Sequence, residues 1–112
     1  MAAQPTVELL WWRECPSWEE ALAVVREEME VAGLDAGSLQ VREVRTDRDA
    51  ELEGFVGSPT IRVNGRDLQP PSDDPVGLTC RVYRLSDGRI SPLPERAEVR
   101  EALAGAIAEG DD

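Results

Sequence analysis

The chain has 112 residues, with 12 arginines, 23 acidic residues, no lysine and no histidine, so its formal net charge is −11. Without histidine there is no Ser-His-Asp triad and no histidine metal ligand, and without lysine there is no Schiff base. The excess of acidic residues argues against a nucleic-acid-binding surface, because the phosphates of nucleic acids bind to positively charged surfaces. Chemistry near pH 7 is left to the thiols of Cys15 and Cys80 and to carboxylates with a shifted pKa.

The N-terminal residues, Met-Ala-Ala-Gln-Pro-Thr, have neither a positive n-region nor an apolar h-region. The longest apolar run, at 9–12, is much shorter than a membrane span. We therefore expect a soluble, cytoplasmic protein without a membrane partner. Two cysteines do not make a secreted disulfide framework, so in a reducing compartment they are either buried apolar groups or reactive ones.

The first half of the chain predicts a strand, a helix, an edge strand and a short helix. The apolar run at 6–12 is typical of a central strand that is buried on both faces. Pro16 suits the first turn of a helix that extends to about Ala32. Residues 39–45 alternate as in an edge strand with a wet face, and a short helix capped by Asp47 follows at 47–55.

The second half predicts a hairpin, a long loop and a final helix. Asn64-Gly65, the strongest short hairpin signal, joins a strand at 61–63 to a return strand at 66–69. A loop at 70–78, a strand at 79–85, a turn at 86–88 and a last helix at 94–109 follow.

This element order, β-α-β-α-β-β-α, predicts an α/β fold with a four-stranded mixed sheet and helices on both faces. The length favours one domain over 1–112, with an extra loop or hairpin at about 70–92 before the last helix.

The strongest chemical signal combines a thiol at a helix start with an X-Pro pair at a strand start. Cys15 precedes Pro16 and Ser17, where the free N–H groups and the dipole of a helix lower a thiol pKa. Further along, Ser58-Pro59-Thr60 stands directly before a strand. A cis X-Pro bond at such a point exposes the preceding backbone to an extended ligand.

These features together resemble the thioredoxin superfamily, over about 5–69 and the last helix. More narrowly, the chain is similar to small actinobacterial thioredoxin-like proteins, some of which are labelled as related to alkylmercury lyase. Their Cys-Arg-x-Tyr is matched here by Cys80-Arg81-Val82-Tyr83. The resemblance implies a thioredoxin-like fold of glutaredoxin size, a cis Ser58–Pro59 bond beside Cys15 and thiol chemistry, but no substrate. Ser72-Asp73-Asp74 faintly resembles the acidic segment that holds glutathione in glutaredoxins, without its preceding Gly-Gly.

The chain departs from the Cys-x-x-Cys motif of thioredoxins, because Trp18 stands where the second cysteine would be. Either Cys15 acts alone, or Cys80 resolves it from elsewhere in the fold. If 66–69 is the fourth strand, the following loop starts near Cys15. If 79–85 is the fourth strand, Cys80 starts at the opposite pole, and a disulfide, which needs Cα atoms within about 7 Å, is excluded. We favour the first arrangement because Asn-Gly demands an immediate return strand.

We therefore predict a thiol–disulfide redox protein that needs no cofactor. Its nucleophile is Cys15, reachable from solvent, which attacks a protein or small-molecule disulfide, and Cys80 resolves the mixed disulfide. Ser58 and Pro59 present backbone to the substrate. The residues expected to contact the substrate surround the thiol: Trp12, Pro16, Trp18, Ser58, Pro59 and Thr60.

Two other interpretations remain open. The missing motif cysteine favours a binding module that kept the fold and lost catalysis. Such a module would hold a peptide or small ligand beside Pro59, or a soft ion such as copper(I) or mercury between two thiolates. A bare scaffold would bury both thiols. Two cysteines are too few for a closed zinc site, so no resident metal is predicted.

Overall fold

The computed structural model describes residues 4–70 and 75–110 of the chain, which form a mixed α/β fold around a four-stranded sheet. The strands are β1 (Val7–Trp11), β2 (Gln40–Glu43), β3 (Thr60–Val63) and β4 (Arg66–Asp67), in the spatial order β2-β1-β3-β4. Strand β2 is parallel to β1, whereas β3 is antiparallel to both β1 and β4.

The helices are α1 (Trp18–Val31), α2 (Asp47–Glu53) and α3 (Arg96–Gly110). A short 3-10 helix at Ala36–Ser38 precedes β2. A separate two-stranded hairpin of β5 (Tyr83–Arg84) and β6 (Ile90–Ser91) precedes α3. Among the helices of the described residues, none is both long and apolar enough to cross a bilayer.

Alternation along β1 divides the core into two clusters, because successive side chains of a strand point to opposite faces. Val7 and Leu9 pack with residues of α1 and α3, which include Val25 and Leu103. Leu10 points to the other face and packs with Val44, Ala50, Phe55 and neighbours beneath α2. Helices therefore cover both faces of the sheet, with α1 and α3 on one side and α2 on the other.

The sheet confirms the central position of β1, the exposed edge position of β2 and the immediate return after Asn64-Gly65. The continuous strand predicted at 79–85 is wrong, because only Tyr83–Arg84 forms a strand, paired with β6, and Cys80 makes a single bridge. The Gln69 side chain donates to Arg84 O at 2.7 Å and accepts from Arg84 N at 2.9 Å. A side chain thus satisfies backbone groups that a neighbouring strand would otherwise pair.

Both early helices begin or end at residues other than those predicted. Helix α1 begins at Trp18 with Ser17 as its N-cap, so Pro16 lies before the first turn and not within it. The N-cap of α2 is Thr46, not Asp47, because the Thr46 hydroxyl accepts from Asp49 N at 3.0 Å. Helix α2 ends at Glu53 because Gly54 adopts a left-handed conformation with φ of 64°.

A buried carboxylate joins α1 to α3. Glu28 is only 2% exposed, and it accepts from Arg100 Nε at 2.8 Å and from Arg96 Nη1 at 3.4 Å. The hydrogen bond from Arg100 is the main reason why the pKa of Glu28 lies below its usual value, although burial opposes it. The folded state therefore favours the ionised form of this carboxylate.

We expect Glu28→Gln to lower the free energy of unfolding by about 1–2 kcal/mol at pH 7, because the arginines lose a charged acceptor. The folded pKa is depressed, so this stabilisation is present above the unfolded pKa of about 4.3 and is lost as the pH falls through the folded pKa. Urea unfolding at pH 7 and pH 3 should show the difference from wild type shrinking in acid. Glu27→Gln, which removes an exposed partner of Arg96, is the control and should cost almost nothing; equal losses in both variants would contradict the prediction.

Candidate functional site

Cys15 lies in the turn that joins β1 to α1. Its N–H donates to Trp12 O at 3.0 Å, and this turn directs the side chain inward. The residue is only 1% exposed. The prediction of a thiol reachable from solvent is therefore wrong, because the turn and the segments that pack around it enclose the side chain.

Ser17 faces this thiol instead of capping its own helix. Although it is the N-cap of α1, its side chain makes no capping hydrogen bond, and its Oγ lies 3.3 Å from Cys15 Sγ. The Ser17 backbone N–H also contributes to lowering the pKa of the Cys15 thiol. The start of α1 thus directs both a hydroxyl and a backbone donor at Cys15, which stabilises a thiolate there.

The Ser58–Pro59 peptide bond is cis, as the resemblance implied, and it lies beside Cys15. In its neutral form the Cys15 thiol donates to Ser58 O at 3.2 Å. The Ser58 hydroxyl is buried and has no hydrogen-bond partner within the described residues. Thr60, the next residue after the proline, turns inward and its hydroxyl donates to Gly57 O at 2.6 Å.

The segment 79–83, here called the Cys80 segment, pairs with the backbone of Ser58. Ser58 N–H donates to Thr79 O at 2.8 Å, and Arg81 N–H donates to Ser58 O at 3.0 Å. These bonds form a single parallel bridge between Ser58 and Cys80. Both backbone groups of Ser58, which we expected to bind a substrate, are thus paired within the protein's own chain.

This pairing brings the two thiols together. Cys80 is exposed, whereas Cys15 is buried. The Cys15 thiol contacts Ser58 O, and Ser58 is bridged to Cys80, so the two cysteines are neighbours. Of the two topologies considered from the sequence, the one with β4 directly after β3 is present, and it leaves the chain free to return to Cys15.

The environment moves the two thiol pKa values in opposite directions. Burial is the largest single influence on the pKa of Cys15 and raises it, but the polar groups of Ser17, Cys80 and Ser58 around the sulfur together outweigh it, so the pKa lies below its usual value. The pKa of Cys80 is raised, first by desolvation and then by the neighbouring Cys15 sulfur and its charge. A single negative charge in the pair therefore belongs on Cys15.

Arg81 and Tyr83 anchor the Cys80 segment. The Arg81 guanidinium donates to Asp67 Oδ2 at 2.7 Å and to Gln69 O at 3.1 Å, and it lies 4.4 Å from the Tyr83 ring centre. The buried Tyr83 hydroxyl donates to Pro59 O at 2.5 Å, and burial is the main cause of its raised pKa. The Cys-Arg-x-Tyr match pointed to both residues, but its spacing gave no reason to assign them an anchoring role.

The remaining predicted contact residues divide into packing and surface positions. Trp18 stacks on Trp11 with ring centres 4.0 Å apart, which is a packing role. Trp12 packs against the cluster beneath α2 and borders a surface groove that includes Arg13 and Glu14, while Pro16 is exposed. Ser72-Asp73-Asp74 lies outside the described residues.

The two thiols are the candidate ligands for any soft ion at this site. Within residues 4–70 and 75–110, no group of three or more histidine, cysteine or acidic side chains is arranged to hold a metal. A site at Cys15 and Cys80 would therefore be a two-thiolate site, of the kind that soft monovalent ions accept.

Comparison with known proteins assigns no family. No protein-family model matches the sequence, and no protein of curated function matches it.

Proposed function

We propose that this protein is a thioredoxin-like thiol–disulfide redox protein of the cytoplasm, whose reactive pair is Cys15 and Cys80. The observation that carries the proposal is that these two cysteines, one buried and one exposed, are neighbours: Cys15 Sγ contacts Ser58 O, and Ser58 is bridged to Cys80. The cis Ser58–Pro59 bond beside Cys15 and the helix that begins just after it add support.

The chemistry is a cycle between a dithiol and an internal disulfide. The pair loses two electrons and two protons when its two sulfurs bond, and an external disulfide that accepts them becomes two thiols. Ser17 stabilises the thiolate form of Cys15 through its hydroxyl and its N–H. The exchange needs a protein or small-molecule disulfide as substrate and no cofactor.

We expect mild oxidation of the reduced protein to give a monomer that is lighter by two hydrogen atoms, with no free thiol and with Cys15 linked to Cys80. Intact mass and peptide mapping after treatment with oxidised dithiothreitol measure this, and reduced dithiothreitol should reverse it. The Cys15→Ser and Cys80→Ser variants are the controls and should each keep one thiol. Two free thiols after oxidation, or only cross-linked dimers, would remove the proposal.

A soft-metal site is the second candidate, because the same two thiols are adjacent. A peptide-binding role has less support, since the Ser58 backbone is already paired. Copper(I) added under reducing conditions separates the candidates. A one-to-one adduct that either serine variant abolishes, in a protein that forms no internal disulfide, would favour the metal site.

A further inference from the structure

We infer that Cys80, and not Cys15, attacks the external disulfide, and that Cys15 is the resolving thiol that closes the internal disulfide. The inference rests on the proposed function and reverses the order expected from the sequence. Its main observation is exposure: Cys80 is exposed to solvent, whereas Cys15 is 1% exposed. An attacking sulfur must meet the substrate in line with its disulfide bond, and only Cys80 is accessible for that approach.

The protein's own chain closes the approach to Cys15. The N–H and C=O of Ser58 pair with Thr79 and Arg81, so an incoming segment cannot form those bonds without displacing the Cys80 segment. The backbone at Gly57 lies very close to Arg81, because a Cβ added at Gly57 would lie 2.7 Å from Arg81 Cβ. The Cys80 segment therefore occupies the position in which an extended ligand would pair, and it presents its own thiol to Cys15.

A surface cavity of about 300 Å³ borders Cys80. Its lining includes Val56, Pro75 and Val82 as well as Cys80 itself. Val82 is 56% exposed, so its side chain borders the opening without belonging to the core. A disulfide that enters this cavity meets Cys80 at its wall.

The neighbouring Cys15 has a second part in the first step. As Cys80 Sγ attacks one sulfur of R–S–S–R′, its proton passes to the adjacent Cys15 thiolate. The S–S bond of the substrate breaks, R′S⁻ leaves and takes a proton from water, and Cys80 carries a mixed disulfide with RS.

Resolution then uses the same two sulfurs. Cys15 loses its proton to water, helped by the Ser17 donors and the nearby Ser58 hydroxyl, and its thiolate attacks Cys80 Sγ. The mixed disulfide breaks, RS⁻ leaves and is protonated, and the internal disulfide remains. The balance is one disulfide reduced to two thiols and two protein thiols oxidised to one disulfide.

The test uses the neutral reagent 4,4′-dithiodipyridine with the two single-cysteine variants. Cys15→Ser should form a stable adduct at Cys80 at least about tenfold faster than Cys80→Ser forms one at Cys15, because buried thiols react slowly. A pulse of substoichiometric reagent on the wild type, quenched by acid and mapped, should place the first adduct on Cys80. This second measurement needs no substitution, so a variant that fails to fold does not decide the outcome.

A first adduct on Cys15, or faster addition to Cys80→Ser than to Cys15→Ser, would overturn the inference. If the wild type still forms an internal disulfide, the proposed function is unaffected by that result. Absence of that disulfide would remove both. As a check on the entry side, Val82→Glu should slow the reaction with the anionic 5,5′-dithiobis(2-nitrobenzoate) by about twofold to threefold through like-charge repulsion. Leu52→Glu, a change at an even more exposed position on α2, is the control and should not alter it; equal rates in both variants would count against entry through the cavity.

Discussion

Replacing Arg81 with methionine is expected to lower the free energy of unfolding by about 3 kcal/mol. The Arg81 side chain is 8% exposed and its partner Asp67 is 11% exposed, so the ion pair is largely shielded from water. Methionine keeps an apolar stem of similar length but leaves the Asp67 carboxylate buried without this cation. The loss is large against the roughly 5–15 kcal/mol that stabilises an average domain.

Urea unfolding of the variant and of two controls tests this expectation. Arg89→Met removes an exposed ion pair with Asp87 and should cost less than about 1 kcal/mol. Adding Asp67→Asn to Arg81→Met should restore part of the loss, because no buried charge is then left without its partner. If Arg81→Met costs no more than Arg89→Met, the buried pair does not anchor the Cys80 segment.

The same substitution tests whether Arg81 helps to hold the Cys80 thiol next to Cys15. Arg81 contacts Asp67 in β4 and Gln69 just after it, so its side chain fixes the Cys80 segment to the edge of the sheet. Without Arg81 the Cys80 segment should move more freely, so the Cys80 thiol should spend less time next to Cys15. Closure of the internal disulfide should therefore slow in Arg81→Met, while in Arg89→Met it should match the wild type.

Local signals were enough to predict the sheet. A run of apolar residues identified the central strand β1, a strand-like run with a polar face identified the edge strand β2, and Asn64-Gly65 identified the hairpin of β3 and β4. Each signal lies within a few residues of the element that it specifies. The identity of these strands could therefore be predicted from local patterns.

The arrangement around the thiols depends on contacts between distant parts of the chain, which local patterns do not encode. Cys80 stands next to Ser58 because Arg81 and Tyr83 bind groups from β4 and from Pro59, far away in sequence. The burial of Cys15 also depends on distant residues, since Ser58 O, which its sulfur contacts, lies 43 positions further along the chain. The sequence indicated Cys15, the Ser58–Pro59 bond and the start of α1. It did not indicate which of the two thiols faces solvent.

We expect Gly57→Ala to be strongly destabilising, by about 3 kcal/mol or more, and to separate the two thiols. Gly57 has φ of 138°, which L side chains rarely adopt, and an added Cβ would lie 2.7 Å from Arg81 Cβ and 2.9 Å from Arg81 N. Because the nearest atoms include backbone, a rotamer change cannot relieve the clash. The Cys80 segment must move, which breaks its hydrogen bonds to Ser58 at 2.8 and 3.0 Å.

Gly54→Ala separates this clash from backbone strain. Gly54 also has a positive φ, of 64°, but a Cβ there meets nothing within 4 Å, so the substitution should cost only about 1 kcal/mol. Unfolding by urea and the rate of internal disulfide closure should both be measured at pH 7 for the two variants. Gly54→Ala should close its disulfide as fast as the wild type, whereas Gly57→Ala should close it much more slowly even under conditions where it is fully folded. Equal stability losses and equal closure rates would mean that the contact of Gly57 with Arg81 does not hold Cys80 beside Cys15.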